Sequence, residues 1–195
     1  KDLLKNFLAV QKEDGTIDGK PGLAGQRGRY LAAPLLSSLA WKIYESNEDE
    51  NFLKEVFPRL HKFFWSWFSP EYDEDRDGLP QWKHILQTGF EDNPLFDAWH
   101  AWSLGVDITQ VHSPALEAML YHEAACLIKM AELLEQNDTL TLLHEQAAKL
   151  RKSIESTWGA RTGLYHYRDR ETGSSLAGKA LVKQQGSGTI SPKLK

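Results

Sequence analysis

From Ser113 to Trp158 the chain carries two apolar stripes at helical spacing, with only Asn137-Asp138 between them. The first runs Leu116, Leu120, Leu127, Met130 and Leu134; the second runs Leu143, Ala147, Leu150, Ile154 and Trp158. Residues three or four apart share one helix face, so each stripe predicts an amphipathic helix with one side to bury. So short a break turns the second helix back along the first. Ser113-Pro114 is a start signal: a capping hydroxyl, then a proline whose missing N–H is no loss in a first turn. Asn137-Asp138 is expected to cap the second helix. An antiparallel helix hairpin is thus the unit from which this fold is built.

The pattern recurs upstream. Leu3, Leu4, Phe7 and Leu8 predict a short helix ending near Gln11. Leu36, Leu39, Ala40 and Ile43 follow Pro34 as one face of another helix, and Phe52, Val56, Leu60, Phe63 and Trp67 mark a further stripe that stops by Ser69-Pro70. The stretch from Lys12 to Arg29 holds five glycines and Pro21, which make helix or strand costly, and reads as a loop. A long irregular section runs from Glu71 to about His112, in which Asn93-Pro94 looks like a cap and first-turn proline for a short helix over 95–104. Beyond Gly159 the alternation of Gly163-Leu164-Tyr165-His166-Tyr167-Arg168 predicts a strand entering a turn at Glu171-Thr172-Gly173. Asp77-Gly78-Leu79 after one helix pair and Thr162-Gly163-Leu164 after another form a weak echo, the mark of repeated helix hairpins with loops at one end.

The net charge of -4 argues against a nucleic-acid partner, since neutralising phosphates needs a basic surface. No apolar run approaches the roughly 20 residues that span a bilayer. The single cysteine, Cys126, allows no disulfide framework, which suits a reducing, cytoplasmic compartment. His112, His122 and His144 do not form a metal set, because His122-Glu123 lacks the second histidine four residues on. No G-x-S-x-G elbow supports serine hydrolysis, and the glycines of 15–28 do not form a phosphate-binding loop.

Two loops carry chemistry. Thr88-Gly89-Phe90-Glu91-Asp92-Asn93-Pro94, continuing to Asp97, sets two carboxylates between a glycine and a proline. A glycosidase needs a carboxylic acid that stays protonated, and an aromatic neighbour and a like charge both raise a Glu pKa. The plain reading is that Asp92 or Asn93 caps a helix opened by Pro94. Tyr72-Asp73-Glu74-Asp75-Arg76-Asp77-Gly78-Leu79-Pro80-Gln81-Trp82 mimics the first half of a calcium loop, but its twelfth position is His84 rather than a bidentate Glu. A lone calcium ion near Asp73, Asp75 and Asp77, or a solvated acidic turn, both fit. Trp82 is either a core residue or a flat platform for a sugar.

On these residues the chain resembles the inverting α-glycosidases built on an (α/α)6 toroid: processing α-glucosidases, mannosylglycerate and glucosylglycerate hydrolases and, more distantly, trehalases. TGFEDNPLFD is similar to their acid loop, and DRDGLPQW to the loop preceding it. The resemblance implies an all-α (α/α)6 toroid, about half of it present in residues 1–195, with a β or loop excursion over 168–195. It implies Glu91 as general acid, with Asp92 ranked second because Glu stands where the family usually has Asp. Arg29, Trp82, Asn93, Asp97 and Trp99 are the substrate-binding candidates. Asp14-Gly15-Thr16-Ile17 and Pro34 loosely match a segment lining the family's cleft, with Gln26, Arg27 and Tyr30 beside Arg29. The expected partner is an oligosaccharide or small α-glycoside. The family's general base lies in the second half of the toroid and is expected outside this chain, with the remainder of the toroid. A non-catalytic carbohydrate-binding or scaffolding α/α domain, stacking sugars on Trp82, Trp99 and Trp102, is the alternative. A terpene-cyclase-like toroid would want its acidic motif on a helix rather than in a Gly/Pro-bounded loop.

Overall fold

The computed structural model describes residues 1–22, 25–26, 30–89, 107–176, 182–184 and 188–190. Among the described residues five α-helices carry the architecture: α1 (Asp2–Ala9), α2 (Leu36–Asn47), α3 (Glu50–Ser66), α4 (Pro114–Leu133) and α5 (Asn137–Ser156). The pairs α2/α3 and α4/α5 are helix hairpins. The first pair is joined by Glu48, left-handed at φ 51°, and by Asp49, whose side chain accepts the Phe52 N–H at 3.1 Å as the α3 cap. The second pair turns through Glu135, also left-handed at φ 57°. The predicted Asn137-Asp138 cap is absent: Asn137 is already helical, and the capping position falls on Gln136, with no side-chain bond to the first turn. The left-handed Glu135 reverses the chain before any cap residue is needed.

Helix α4 is the hub, packing on α2, α3 and α5. Its Ser113 cap forms as the sequence predicts, with Oγ accepting the Leu116 N–H at 3.2 Å. Leu116, Leu120, Leu127 and Met130 are buried against Phe52, Leu53, Val56, Leu60, Phe63 and Phe64 of α3, and Leu143, Ala147 and Leu150 of α5 extend the same core. Burying one such Leu or Phe contributes about 1.5–3 kcal/mol, so the stripes read from the sequence hold the hairpins together. Three positions depart from those stripes. Leu3 is 68% exposed, Leu39 is 41% exposed, and Trp158 is 47% exposed because α5 ends at Ser156, where the Thr157 hydroxyl turns back to the Ile154 carbonyl.

Strand structure is short and peripheral. Trp158–Gly159 pairs antiparallel with Leu164–Tyr165, and Arg168–Asp169 pairs with Val111–His112, tying the C-terminal excursion to the start of α4. Val182–Gln184 pairs with Gly188–Ile190. The echo between the two Gly-Leu loops is structural as well: Gly78 and Gly163 are both left-handed, at φ 73° and 68°, each after a helix pair. No described helix is long and apolar enough to cross a membrane.

Candidate active site

A cavity of about 460 Å³ opens where the N-terminal loop meets the chain leading to Glu91. One wall is Asp18, Gly19, Lys20, Tyr30 and Leu31; the other is Leu86, Gln87, Thr88 and Gly89; Ala33, Leu35 and Met119 add an apolar side. The size suits a small ligand, and the mixture of polar edge and apolar face suits a sugar, whose ring has both. The first wall is two segments joined by an isolated antiparallel bridge between Asp18 and Leu31: the Gly19 N–H donates to the Tyr30 carbonyl at 2.9 Å and the Ala32 N–H to the Ile17 carbonyl at 2.8 Å. The second wall begins in a 3-10 turn, Ile85–Gln87, and leaves it through Thr88, whose hydroxyl donates to the Ile85 carbonyl at 2.8 Å. Gly89 then adopts φ +70°, a left-handed geometry that glycine takes without penalty. The acid-loop residues Glu91, Asp92, Asn93 and Asp97 lie outside the described residues, as do Arg27, Arg29, Trp99, Trp102 and the 95–104 helix expected from the sequence. The base of that loop, Gln87-Thr88-Gly89, is described and faces the cavity.

Trp82 is a core residue. It is 1% exposed, meets Trp67 edge-on at 5.6 Å between ring centroids, and donates its Nε1–H to Ser113 Oγ at 3.1 Å. A stacking platform needs an open face, and Trp82 has none.

The acidic loop forms a second polar centre. Asp73, Asp75 and Asp77 bring one carboxylate oxygen each within 4.8 Å of the others. Arg170, 95 residues further along the chain, reaches both Asp75 oxygens from Nη2 at 2.7 Å, and its Nη1 donates to the Leu79 carbonyl at 2.9 Å. Burial by itself raises the Asp75 carboxyl, and the hydrogen bond and charge of Arg170 outweigh it, leaving that pKa below its ordinary value. Asp73 is buried deeper and its pKa is pushed up by desolvation, although its Oδ2 accepts the Gly78 N–H at 3.0 Å. Within the loop, Asp75 Oδ1 also takes the Asp77 N–H and Asp77 Oδ1 takes the Leu79 N–H, while the buried Asp73 Oδ1 has no hydrogen-bond partner. The Arg170 guanidinium thus brings a positive charge to Asp75 and Asp77. Behind this loop, His112 lies 3.9 Å from Asp77 and 3.7 Å from Glu117, a fully buried carboxyl whose pKa burial raises to about 7.

A sequence profile described as the mannosylglycerate hydrolase MGH1-like glycoside hydrolase domain matches residues 8–184. The chain belongs to this family. The MGH1-like assignment agrees with the resemblance carried by DRDGLPQW and TGFEDNPLFD. No curated protein matches at the level of sequence. Among solved structures, a GH63 mannosylglycerate hydrolase from Thermus thermophilus in complex with glucose superposes with a TM-score of 0.70 at 19% identity, over 91% of this chain and 56% of that one. The same hydrolase with Tris and D-glycerate gives 0.70 at 17% identity, over 91% and 58%. An uncharacterized conserved protein of that organism gives 0.71 at 17% identity, over 91% and 56%. The MGH1-like chain shares their fold and spans just over half their length.

The sequence did not single out Asp18, Lys20, Gln87 or Met119 as cleft residues, whereas Thr88 opens the predicted acid loop. For Gln87 a signal existed, since it immediately precedes that loop.

Proposed function

We propose that this MGH1-like domain takes part in hydrolysing an α-glycosidic bond of a small glycoside or oligosaccharide, with inversion, and that Glu91 is the general acid. The observation that carries the reading is the cavity wall Gln87-Thr88-Gly89, which runs directly into Glu91. In this mechanism Glu91 gives its proton to the departing glycosidic oxygen as that bond breaks. A water molecule attacks the anomeric carbon from the opposite face and loses its proton to a second carboxylate, about 6.5–9.5 Å from the first. Asp92 is adjacent on the same loop and ill-placed for that second role. We assign the general base to residues outside this chain, in keeping with the share of its structural neighbours that it covers. Asn93, Asp97, Trp99 and Arg29 are proposed to hold the sugar. Mannosylglycerate is what the neighbours' names indicate they hydrolyse, so glycosylglycerates belong in the first substrate panel.

The test is sugar release from α-linked disaccharides and glycosylglycerates by this chain, by a longer chain completing the toroid, and by the Glu91→Gln variant of each. Release abolished by Glu91→Gln supports the assignment; release that survives it overturns Glu91 as the acid. Sugar binding with no release from the longer chain overturns hydrolysis in favour of a carbohydrate-binding domain.

A further inference from the structure

We propose that Gln87 is a positioning residue that holds the two walls of the cleft in register, and so sets the shape that a sugar meets. The inference rests on the glycoside reading of that cavity. Gln87 is 7% exposed and uses both ends of its amide. Its Oε1 accepts two backbone N–H groups, from Lys83 at 2.8 Å and His84 at 2.9 Å, which closes the 3-10 turn beneath Thr88 and Gly89. Two donors on one atom fix which end of the amide is oxygen. The remaining end, Nε2, crosses the cleft floor and donates to the Leu31 carbonyl at 3.3 Å.

Leu31 is held from the other side too. Its N–H donates to the Tyr72 hydroxyl at 3.1 Å, so side chains satisfy both of its backbone groups. Next to it, Tyr30 stacks on His84 at 4.6 Å between ring centroids, a second tie between the same two walls. The walls are far apart in sequence, and among the described residues no ladder of backbone hydrogen bonds joins them. Their alignment therefore depends on a few side chains, and Gln87 is one that bonds to both backbones.

The amide is what this position needs. A carboxylate has the same shape and accepts both turn N–H groups, but it cannot donate and it repels the Leu31 carbonyl. Gln87→Glu therefore keeps the turn and cuts the tie, and a protonated carboxyl, which can donate once, restores it. Loss of one hydrogen bond predicts a fall of about three- to tenfold in glucose affinity at pH 7. Near pH 4 the deficit relative to the wild type shrinks.

The experiment is glucose titration of the wild type and Gln87→Glu at both pH values, with amide exchange at Gly19 and Ala32 read alongside. Weaker binding and faster Gly19 and Ala32 exchange at pH 7, both recovering at the lower pH, support the tie. Unchanged affinity, or a loss that ignores pH, overturns it. A wild type that binds no glucose overturns the glycoside reading alone, and the exchange data then decide the tie: recovery on acidification supports it, and equal exchange in both proteins overturns it.

Discussion

The carboxylate of Glu123 on α4 accepts the backbone N–H of Ser37 at 2.7 Å, and of Ser38 at 2.8 Å, in the first turn of α2. Helix α2 begins at Leu36 rather than at Pro34, and its own capping position, Leu35, has no side-chain acceptor. A neighbouring helix provides the cap instead, placing a carboxyl at the positive end of the α2 dipole; burial pushes its pKa up, and the two backbone N–H groups oppose that. Glu123 is 1% exposed, so its removal strands two buried donors. Glu123→Ala is expected to cost about 3 kcal/mol, roughly 6–12 °C of melting temperature for a chain of this size. Thermal unfolding by circular dichroism measures it, and a shift under about 2 °C would mean water reaches α2 in place of the carboxylate.

Glu117 gives this chain a pH-dependent stability. Burial lifts its pKa from 4.5 to about 7. Between those values the folded chain binds more protons than the unfolded one, so stability falls as pH rises through that window. At 1.36 kcal/mol per unit the full loss is on the order of 3 kcal/mol. Glu117→Gln removes this contribution to the slope and is more stable than the wild type above pH 7. Urea unfolding at a series of pH values reads it, and parallel wild-type and variant curves would refute the assignment.

Arg170 is expected to make the acidic loop independent of calcium. Melting temperatures in EGTA and in about 1 mM calcium should agree to within roughly 1 °C for the wild type, because a guanidinium already serves the carboxylates. Arg170→Ala should lower stability by about 1–2 kcal/mol, with Asp75 half in solvent limiting the electrostatic share. Calcium should recover part of that loss. A large calcium effect on the wild type would show that the ion displaces Arg170.

Trp82→Phe tests the core assignment of that ring. Losing the Nε1–H bond to Ser113 and part of the ring volume should cost about 1–3 kcal/mol. Sugar affinity should be unchanged within twofold, since the ring is sealed from the cleft. A clear loss of binding at full stability would restore Trp82 as a platform.

What the sequence makes legible here is local. The stripes of α3 and α4, that of α5 apart from Trp158, and the Ser113 cap depend on residues within a turn of each other, and these form as read. The family resemblance works for the same reason, since DRDGLPQW and TGFEDNPLFD are contiguous. Illegible features join distant segments. Nothing near Leu35 indicates that a glutamate 88 residues later caps α2. Nothing near Asp75 points to Arg170, and Asp73 to Asp77 alone look like a cation loop in want of a cation. Trp82 sits in a stretch rich in Asp, Gly and Pro, which suggests exposure, and only the packing of Trp67 and Ser113 around it hides the ring. Gln87 belongs to no periodic pattern; its role exists only once Leu31 lies opposite.

The hairpin α4/α5 closes through a turn of three residues, and its contacts are near neighbours along the chain. Such contacts form early, because little chain entropy is lost in bringing them together. The cleft joins Leu31 to Gln87 across 56 residues and is tied by few bonds, so it is expected to assemble late and to open first in native fluctuations. A sugar that binds across both walls would then act as the missing crosslink, slowing the opening of the region that encloses it while leaving exchange in the α4/α5 hairpin unchanged.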